Sequence, residues 1–217
     1  MFPFVRRELA GFLEAHAGDA DVQNACNDIA TDAGFADAAS WGADLSTPAG
    51  RELVQTEVLR QMDQDLKTTG LKTLQGLIWK SGFESGELVA HLYEDVPTAI
   101  DRWRKAGKQV RIYSSGSIAA QKLFFGNTEF GDLLSKFQGH YDTTMGGKRE
   151  AESYRKIAAD IGVPAHDILF LSDVVEELDA AREAGMQTGL SMRTGNAEID
   201  DPHDHPELHS FAEVRLD

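Results

Sequence analysis

The chain has 217 residues, of which 41% are hydrophobic and 26% are charged. This length and composition are those of one ordinary globular domain, or of one domain with a smaller insert, and they exclude disordered, collagen-like and disulfide-scaffold proteins. The 36 acidic residues outweigh the 21 basic ones and leave a formal net charge of −15. A charge of this sign argues against nucleic acid and anionic membrane surfaces as partners.

The same reading predicts a cytoplasmic protein. The single cysteine, Cys26, cannot form an internal disulfide, and we expect it to be a small residue within a helix. A helix that spans a bilayer needs about 18 consecutive apolar residues, and no apolar run in this sequence approaches that length. The amino-terminal residues lack the apolar core of a secretory signal.

Residues 1 to about 88 are expected to be helical. Val5, Leu9, Phe12 and Leu13 recur at helical spacing, which predicts one apolar face. Thr47-Pro48 is typical of a helix start, because threonine caps the first turn and proline there loses no hydrogen bond. An apolar stripe is predicted to continue through that helix at Leu53, Val58, Met62 and Leu66. The glycine-punctuated run 71–83 is predicted to be a helix and loop that reach toward a ligand.

From about residue 89 the pattern alternates between helices and strands, which predicts an α/β fold with a parallel sheet. Strands are predicted at 110–113, 168–171 and 188–192, and helices at 97–106, 118–125, 154–161 and 176–184. The unbroken apolar run Ile168–Leu171 predicts a strand buried on both faces. Ligands of such sheets bind at the carboxyl ends of the strands.

Three segments near the predicted strand ends contain candidate residues for binding a phosphate group or a metal ion. The run Ser114–Ser117 precedes a helix and suits either an anion-binding turn or a simple helix cap. Lys148 follows two glycines and could place its ammonium on a phosphate oxygen, or lie solvated in a turn. Asp173 ends the predicted buried strand and could hold Mg²⁺ or cap the next helix. Glu177 could add charge to the ion or pair with Lys148.

In the order serine, lysine, aspartate, these residues resemble the haloacid dehalogenase (HAD)-type phosphatases. Longer runs resemble the enolase-phosphatase, or acireductone synthase, family, and the similarity extends from Phe2 to Arg193. The runs that carry it are Leu71–Phe83, Tyr113–Ser117, Ala120–Gly126 and Leu169–Asp173.

The resemblance implies an α/β, HAD-like Rossmannoid parallel sheet with a helical cap domain: 1–88 as the cap and 89–217 as the core. It implies a monomeric enzyme of methionine salvage, dependent on Mg²⁺. The reaction is enolisation and dephosphorylation of 2,3-diketo-5-methylthiopentyl-1-phosphate to 1,2-dihydroxy-3-keto-5-methylthiopentene. Ser114, Ser115 and Lys148 match residues that bind the substrate phosphate, Lys148 also as a catalytic group, and Asp173 matches a Mg²⁺ ligand. Trp79 and Lys80 are candidate contacts from the cap to the substrate. Trp79 could instead pack within the cap, and Lys80 could instead be solvated.

The nucleophile motif of that superfamily, Asp-x-Asp/Glu-Gly-Thr after a strand, does not occur in this sequence. The pairs Asp19-Ala20-Asp21 and Asp63-Gln64-Asp65 neither follow an apolar strand nor precede Gly-Thr. In the family the missing strand is the central one of the sheet. We therefore expect the natural protein to begin upstream of Met1 and the 217-residue chain to be inactive. A phosphatase for another phosphorylated metabolite and a pseudoenzyme that binds without turnover remain alternatives, and the upstream DNA sequence tests the latter.

The carboxyl-terminal segment is rich in histidine and aspartate. Its spacing is weak support for a metal site, and a solvated tail is the favoured reading. The residues concerned are His203, His205, His209, Asp200, Asp201 and Asp204.

Overall fold

A computed structural model describes residues 1–199 and 202–215 of the chain. It divides into two compact units, Met1–Ala90 and His91–Asp217. Among the described residues, no helix is both long enough and apolar enough to cross a membrane.

The first unit is helical, as the sequence predicts. Its helices are α1 (Phe2–Ala15), α2 (Ala20–Asp32), α3 (Ala38–Trp41), α4 (Pro48–Asp63) and α5 (Thr69–Ser85). The predicted start of α4 is confirmed, because the Thr47 hydroxyl accepts a hydrogen bond from the Gly50 amide at 3.1 Å. The predicted apolar stripe is partly wrong: α4 ends at Asp63, so Leu66 lies outside it.

The predicted helix and loop over 71–83 is also wrong, since the whole run lies within the continuous helix α5. Two glycines of α5, Gly70 and Gly82, serve close packing rather than chain reversal. A Cβ atom at Gly70 would lie 2.5 Å from the Ile29 amide nitrogen of α2, and one at Gly82 would lie 2.4 Å from the Phe4 ring. Only glycine allows neighbouring helices to approach so closely.

The second unit is α/β, and every paired strand in it is parallel, which confirms the predicted fold class. Its helices are α6 (Asp95–Lys105), α7 (Ile118–Gly126), α8 (Ala151–Ile161) and α9 (Val175–Glu183). Its strands are β1 (Arg111–Tyr113), β2 (Gly139–Tyr141), β3 (Leu169–Ser172), β4 (Gln187–Ser191) and β5 (Glu207–Leu208). The sequence did not predict β2 and β5, which are three and two residues long and contain no run of apolar residues.

The strands form two separate sheets, β1-β2 and β3-β4-β5. Two groups of apolar side chains pack against these strands, and the first of them contacts both sheets. One group, built around Tyr154 of α8, receives Tyr113 from β1 and Phe170 from β3. The other, built around Trp103 of α6, receives Leu171 from β3. The two sheets are therefore neighbours within one unit although no ladder joins them.

Within the part of the chain that the structure describes, no strand pairs with the edges of β1 and β3 that lie away from their partners. Val110 and Ser114 direct backbone hydrogen bonds to the β2 side, so the alternating residues Arg111 and Tyr113 direct theirs to the opposite side. The prediction that 168–171 is buried on both faces is wrong in this respect, since Leu169 is 39% exposed. A strand with one unpaired edge leaves its side chains partly uncovered.

The solvated-tail prediction is wrong for two of the three histidines. The side chain of His205 is fully buried, with its ring nitrogens 2.8 Å from the Thr188 hydroxyl and 3.2 Å from the Asp179 carboxylate. His203 stacks on His205 with 14% of its side chain exposed, whereas His209 is 67% exposed. The short pairing of β5 with β4 draws this segment onto the sheet. Asp200 and Asp201 lie outside the described residues, and the described ones contain no group of three metal-ligating side chains.

Candidate active site

The turn after β1 carries the predicted serines. The Ser114 hydroxyl accepts a hydrogen bond from the Gly116 amide at 3.2 Å, and Ser115 is exposed. Neither residue caps α7. That role belongs to Ser117, whose hydroxyl accepts from the Ala120 amide at 3.2 Å. Ser114 and Ser115 are thus not engaged as helix caps.

Asp142, directly after β2, is a buried carboxylate that the sequence analysis missed. It accepts hydrogen bonds from the Ile118 amide at the start of α7 (3.2 Å) and from the amide and hydroxyl of Thr144 (3.0 and 2.7 Å). A negative charge at a helix amino terminus is favourable because it meets the positive end of the helix dipole. Asp142 therefore ties the turn after β2 to the helix that follows β1. Its position at the end of an unpredicted strand is the reason that no sequence signal identified it.

Lys148 lies in the loop between β2 and α8, and side-chain hydroxyls fix three consecutive carbonyls of this loop. Tyr113 donates to the Gly146 carbonyl at 2.9 Å, Ser153 to the Gly147 carbonyl at 2.8 Å, and Tyr154 to the Lys148 carbonyl at 2.6 Å. The two tyrosines belong to the apolar cluster beneath the sheet. The backbone that carries Lys148 is therefore anchored directly to the core.

Gly146 is required by this arrangement. Its φ is +132°, a conformation that side chains rarely adopt, and a Cβ atom there would lie 2.1 Å from the Ser153 hydroxyl. The glycine pair before Lys148 thus reflects a tight, tethered loop rather than a solvated turn.

The ammonium of Lys148 forms an ion pair with Glu177 of α9, with Nζ and Oε2 2.5 Å apart. Only 21% of the lysine side chain and 12% of the glutamate side chain are exposed. Ser172, the last residue of β3, donates its hydroxyl to the same carboxylate oxygen at 2.7 Å. Of the two roles that the sequence left open for Glu177, pairing with Lys148 is the one observed.

Asp173 is exposed, contrary to the expectation of a buried carboxylate that has left water. It does not cap α9 either, because the capping position is Val174. Mg²⁺ commonly binds through one or two carboxylates together with water and substrate phosphate, so Asp173 suits a single ligand position. The described residues supply no group of three metal-ligating side chains, and they do not by themselves make up a magnesium site.

The surroundings of Lys148 are acidic, and the nearby carboxylates affect the pKa values of the two tyrosines that bind its loop. Burial raises the pKa of Tyr113; its contact with Ser153 opposes this, and the charges of Glu177, Glu150 and Asp142 raise it further. Burial also raises the pKa of Tyr154, with a smaller contribution from the charge of Glu177. Both phenols therefore stay protonated and serve as hydrogen-bond donors to the loop.

Contacts link the three predicted strand ends to different degrees. Lys148 and the end of β3 are joined directly through Glu177. The end of β1 is joined to the lysine loop through Tyr113, the residue before Ser114.

In the first unit, Trp79 is 7% exposed and donates to the Met1 carbonyl at 3.2 Å, and Lys80 is exposed near Glu84.

Comparisons with known proteins agree with this architecture. Residues 14–185 match the haloacid dehalogenase-like hydrolase family. Two relatives named enolase-phosphatase E1 are similar over the whole chain and 90% of their own length: one from Pseudomonas aeruginosa (strain LESB58) at 44% identity and one from Stenotrophomonas maltophilia (strain K279a) at 42%. The crystal structure of the UTR4 protein from Saccharomyces cerevisiae superimposes with a TM-score of 0.77 at 34% identity, over 98% of this chain and 90% of that one.

The family follows from the similarity over the full length of the chain, and the parallel α/β topology agrees with it. This chain belongs to the enolase-phosphatase E1 family of haloacid dehalogenase-like hydrolases.

Proposed function

We propose that this protein is the acireductone synthase of methionine salvage and binds the phosphate of 2,3-diketo-5-methylthiopentyl-1-phosphate at the carboxyl ends of its strands. The observation that carries the proposal is the placement of Lys148, whose backbone is fixed by three hydroxyls and whose ammonium is held at 2.5 Å from Glu177. A cation whose backbone is already fixed in position can stabilise the charge of a bound phosphate.

The serines supply the second part of this phosphate site. Because the Ser114 oxygen accepts from the Gly116 amide, its own proton is available for a phosphate oxygen. Ser115 is exposed at the same turn and can donate in the same way. Hydroxyl donors and one lysine would together offset the charge of a phosphate monoester in a chain whose net charge is strongly negative.

Mg²⁺ is proposed to contact Asp173, where it would neutralise charge on the substrate phosphate. The described residues offer the ion no group of three metal-ligating side chains. The helical unit Met1–Ala90 is proposed to be the cap domain of the family.

Phosphoryl transfer in this family requires a carboxylate that attacks phosphorus, while a second group protonates the departing oxygen. Glu177 is engaged by Lys148 and Ser172, and Asp142 by the start of α7. We propose that the attacking aspartate is carried by a strand that pairs with the open edges of β1 and β3. The 217-residue chain then binds phosphate without hydrolysing its ester.

Calorimetric titration with inorganic phosphate tests the binding part of the proposal. Lys148→Ala should weaken binding by at least about tenfold, since a charge-assisted contact contributes about 1.5–3 kcal/mol. Lys156→Ala, which removes an exposed lysine from the outer side of α8, is the matched control and should bind as the parent does. Equal affinity in all three proteins would contradict the proposed role of Lys148.

A second experiment tests the chemistry. The chain is extended with an amino-terminal apolar strand that ends in Asp-x-Glu-Gly-Thr, and phosphate release is measured with the diketo phosphate and with a panel of other phosphate monoesters. Turnover confined to the diketo phosphate supports the acireductone synthase. Preference for another ester would favour a different phosphatase, and binding without turnover in the extended protein would favour a pseudoenzyme.

A further inference from the structure

The Lys148–Glu177 ion pair raises a question about phosphate binding. Both side chains are largely buried, and their charged atoms are 2.5 Å apart. An anion that binds Lys148 must therefore share it with, or take it from, a carboxylate that is already in place. Glu177 stands where it competes with the ligand that the proposed function requires.

The carboxylate of Glu177 is not held by the lysine alone. Ser172 is 8% exposed and donates its hydroxyl to the same oxygen, Oε2, at 2.7 Å. The Ser172 oxygen in turn accepts from the Val174 amide at 3.2 Å, in the turn that leads into α9. This second contact fixes the direction of the hydroxyl, because its lone pair faces the amide and its proton faces Glu177.

We propose that Ser172 is a positioning residue that locks Glu177 onto Lys148, so that Glu177 acts as an internal counter-ion which phosphate must displace. The inference rests on the proposed function for the identity of the competing anion. The lock keeps Lys148 in position while the site is empty. It also weakens the hold on free phosphate, which favours release of the inorganic product.

The neighbouring acidic residue shows why position matters more than charge. Glu176 precedes Glu177 in α9, yet it is 59% exposed and lies 3.7 Å from Arg149, which is also exposed. Exposed pairs of this kind contribute little because water screens them. Glu176→Gln removes the same charge from the same helix turn and is the matched control for Glu177→Gln.

The first measurement is the acylation rate of Lys148, read by mass spectrometry after brief exposure to an amine-reactive reagent. It needs no phosphate and no turnover. Glu177→Gln should raise the acylation rate of Lys148 by about tenfold, because a hydrogen-bonded charge pair changes an equilibrium by about that factor. Ser172→Ala should raise the rate as well. Ser172→Thr keeps the hydroxyl and should restore the parental rate, and Glu176→Gln should leave it unchanged.

The second measurement is the affinity for inorganic phosphate in the same proteins. Removing the internal counter-ion should tighten binding in Glu177→Gln and, less strongly, in Ser172→Ala. Parental labelling and parental affinity in a folded Ser172→Ala protein would overturn the proposal, as would a Ser172→Thr protein that behaves like the alanine variant. If labelling changes as expected but no protein binds phosphate, the lock stands and the proposed function fails.

Discussion

Tyr154 offers the sharpest test of how the core positions Lys148. Tyr154→Phe keeps the aromatic ring, and with it the contacts to Tyr113 and Phe170 at centroid distances of 5.6 and 4.9 Å, but removes the hydroxyl that donates to the Lys148 carbonyl at 2.6 Å. Because Tyr154 is 1% exposed, the carbonyl loses a buried partner, which should lower the free energy of unfolding by about 1–3 kcal/mol.

The effect on Lys148 follows from the same loss. A local weakening of 1 kcal/mol corresponds to roughly a fivefold change in an equilibrium constant, so the loop should open more often and Lys148 should be acylated roughly fivefold faster. The assay combines urea unfolding with mass-spectrometric labelling of Lys148.

Tyr141→Phe is the control. Tyr141 lies in the same apolar cluster, but its hydroxyl donates to Asp160 at 2.7 Å and accepts from Arg111 at 3.0 Å, away from the lysine loop. Its loss should also reduce stability and should leave the labelling of Lys148 unchanged. If the two variants label equally, the hydroxyl of Tyr154 supports the fold in general and does not position the loop.

The other predictions concern the backbone, pH and thiol chemistry. Gly146→Ala should destabilise the protein by about 2–4 kcal/mol in urea unfolding, because of backbone strain and a displaced hydroxyl. Gly131 has a φ of +84° and open space around its Cβ position, so Gly131→Ala should lower the free energy of unfolding by less. Equal losses in the two variants would contradict the steric argument. Burial opposes ionisation of Asp95, but hydrogen bonds from Arg193 and the segment around residue 210 lower its pKa. The contribution of ionised Asp95 to the free energy of unfolding is therefore present above about pH 4, and it is lost as the pH falls through the pKa of Asp95 in the folded protein. Asp95→Asn should therefore flatten the acid limb of stability against pH, and an unaltered limb would refute the assignment. Burial raises the pKa of Cys26 to about 11, so alkylation at pH 8 should be slow until urea unfolds the chain; rapid labelling of the folded protein would contradict its burial.

The split sheet has a consequence for how the chain behaves in solution. Among the described residues, β1 and β3 each pair with another strand along one edge only, and unpaired strand edges favour pairing with a further strand. This agrees with the proposal that the attacking aspartate arrives on an additional strand. That strand would complete the sheet and cover side chains such as Leu169.

Much of the fold could be read from local pattern. The apolar spacing in α1, the Thr47 cap of α4 and the end of α8 at Ile161 are decided by neighbouring residues, and each is found where it was predicted. Two glycines of α5 do not mark a loop, because Gly70 admits Ile29 and Gly82 admits Phe4, and both partners are distant in sequence. No local window contains that information.

For the candidate site, the sequence by itself indicated the family and proposed which residues take part in the chemistry. Ser114, Lys148 and Asp173 were identified from their positions after predicted strands or glycines. Only the tertiary structure decided that Lys148 pairs with Glu177, that Ser172 holds this pair, and that Asp173 faces solvent. The physical reason is that hydrogen bonds and ion pairs depend on distances of about 3 Å between side chains, and the packing of whole elements sets those distances.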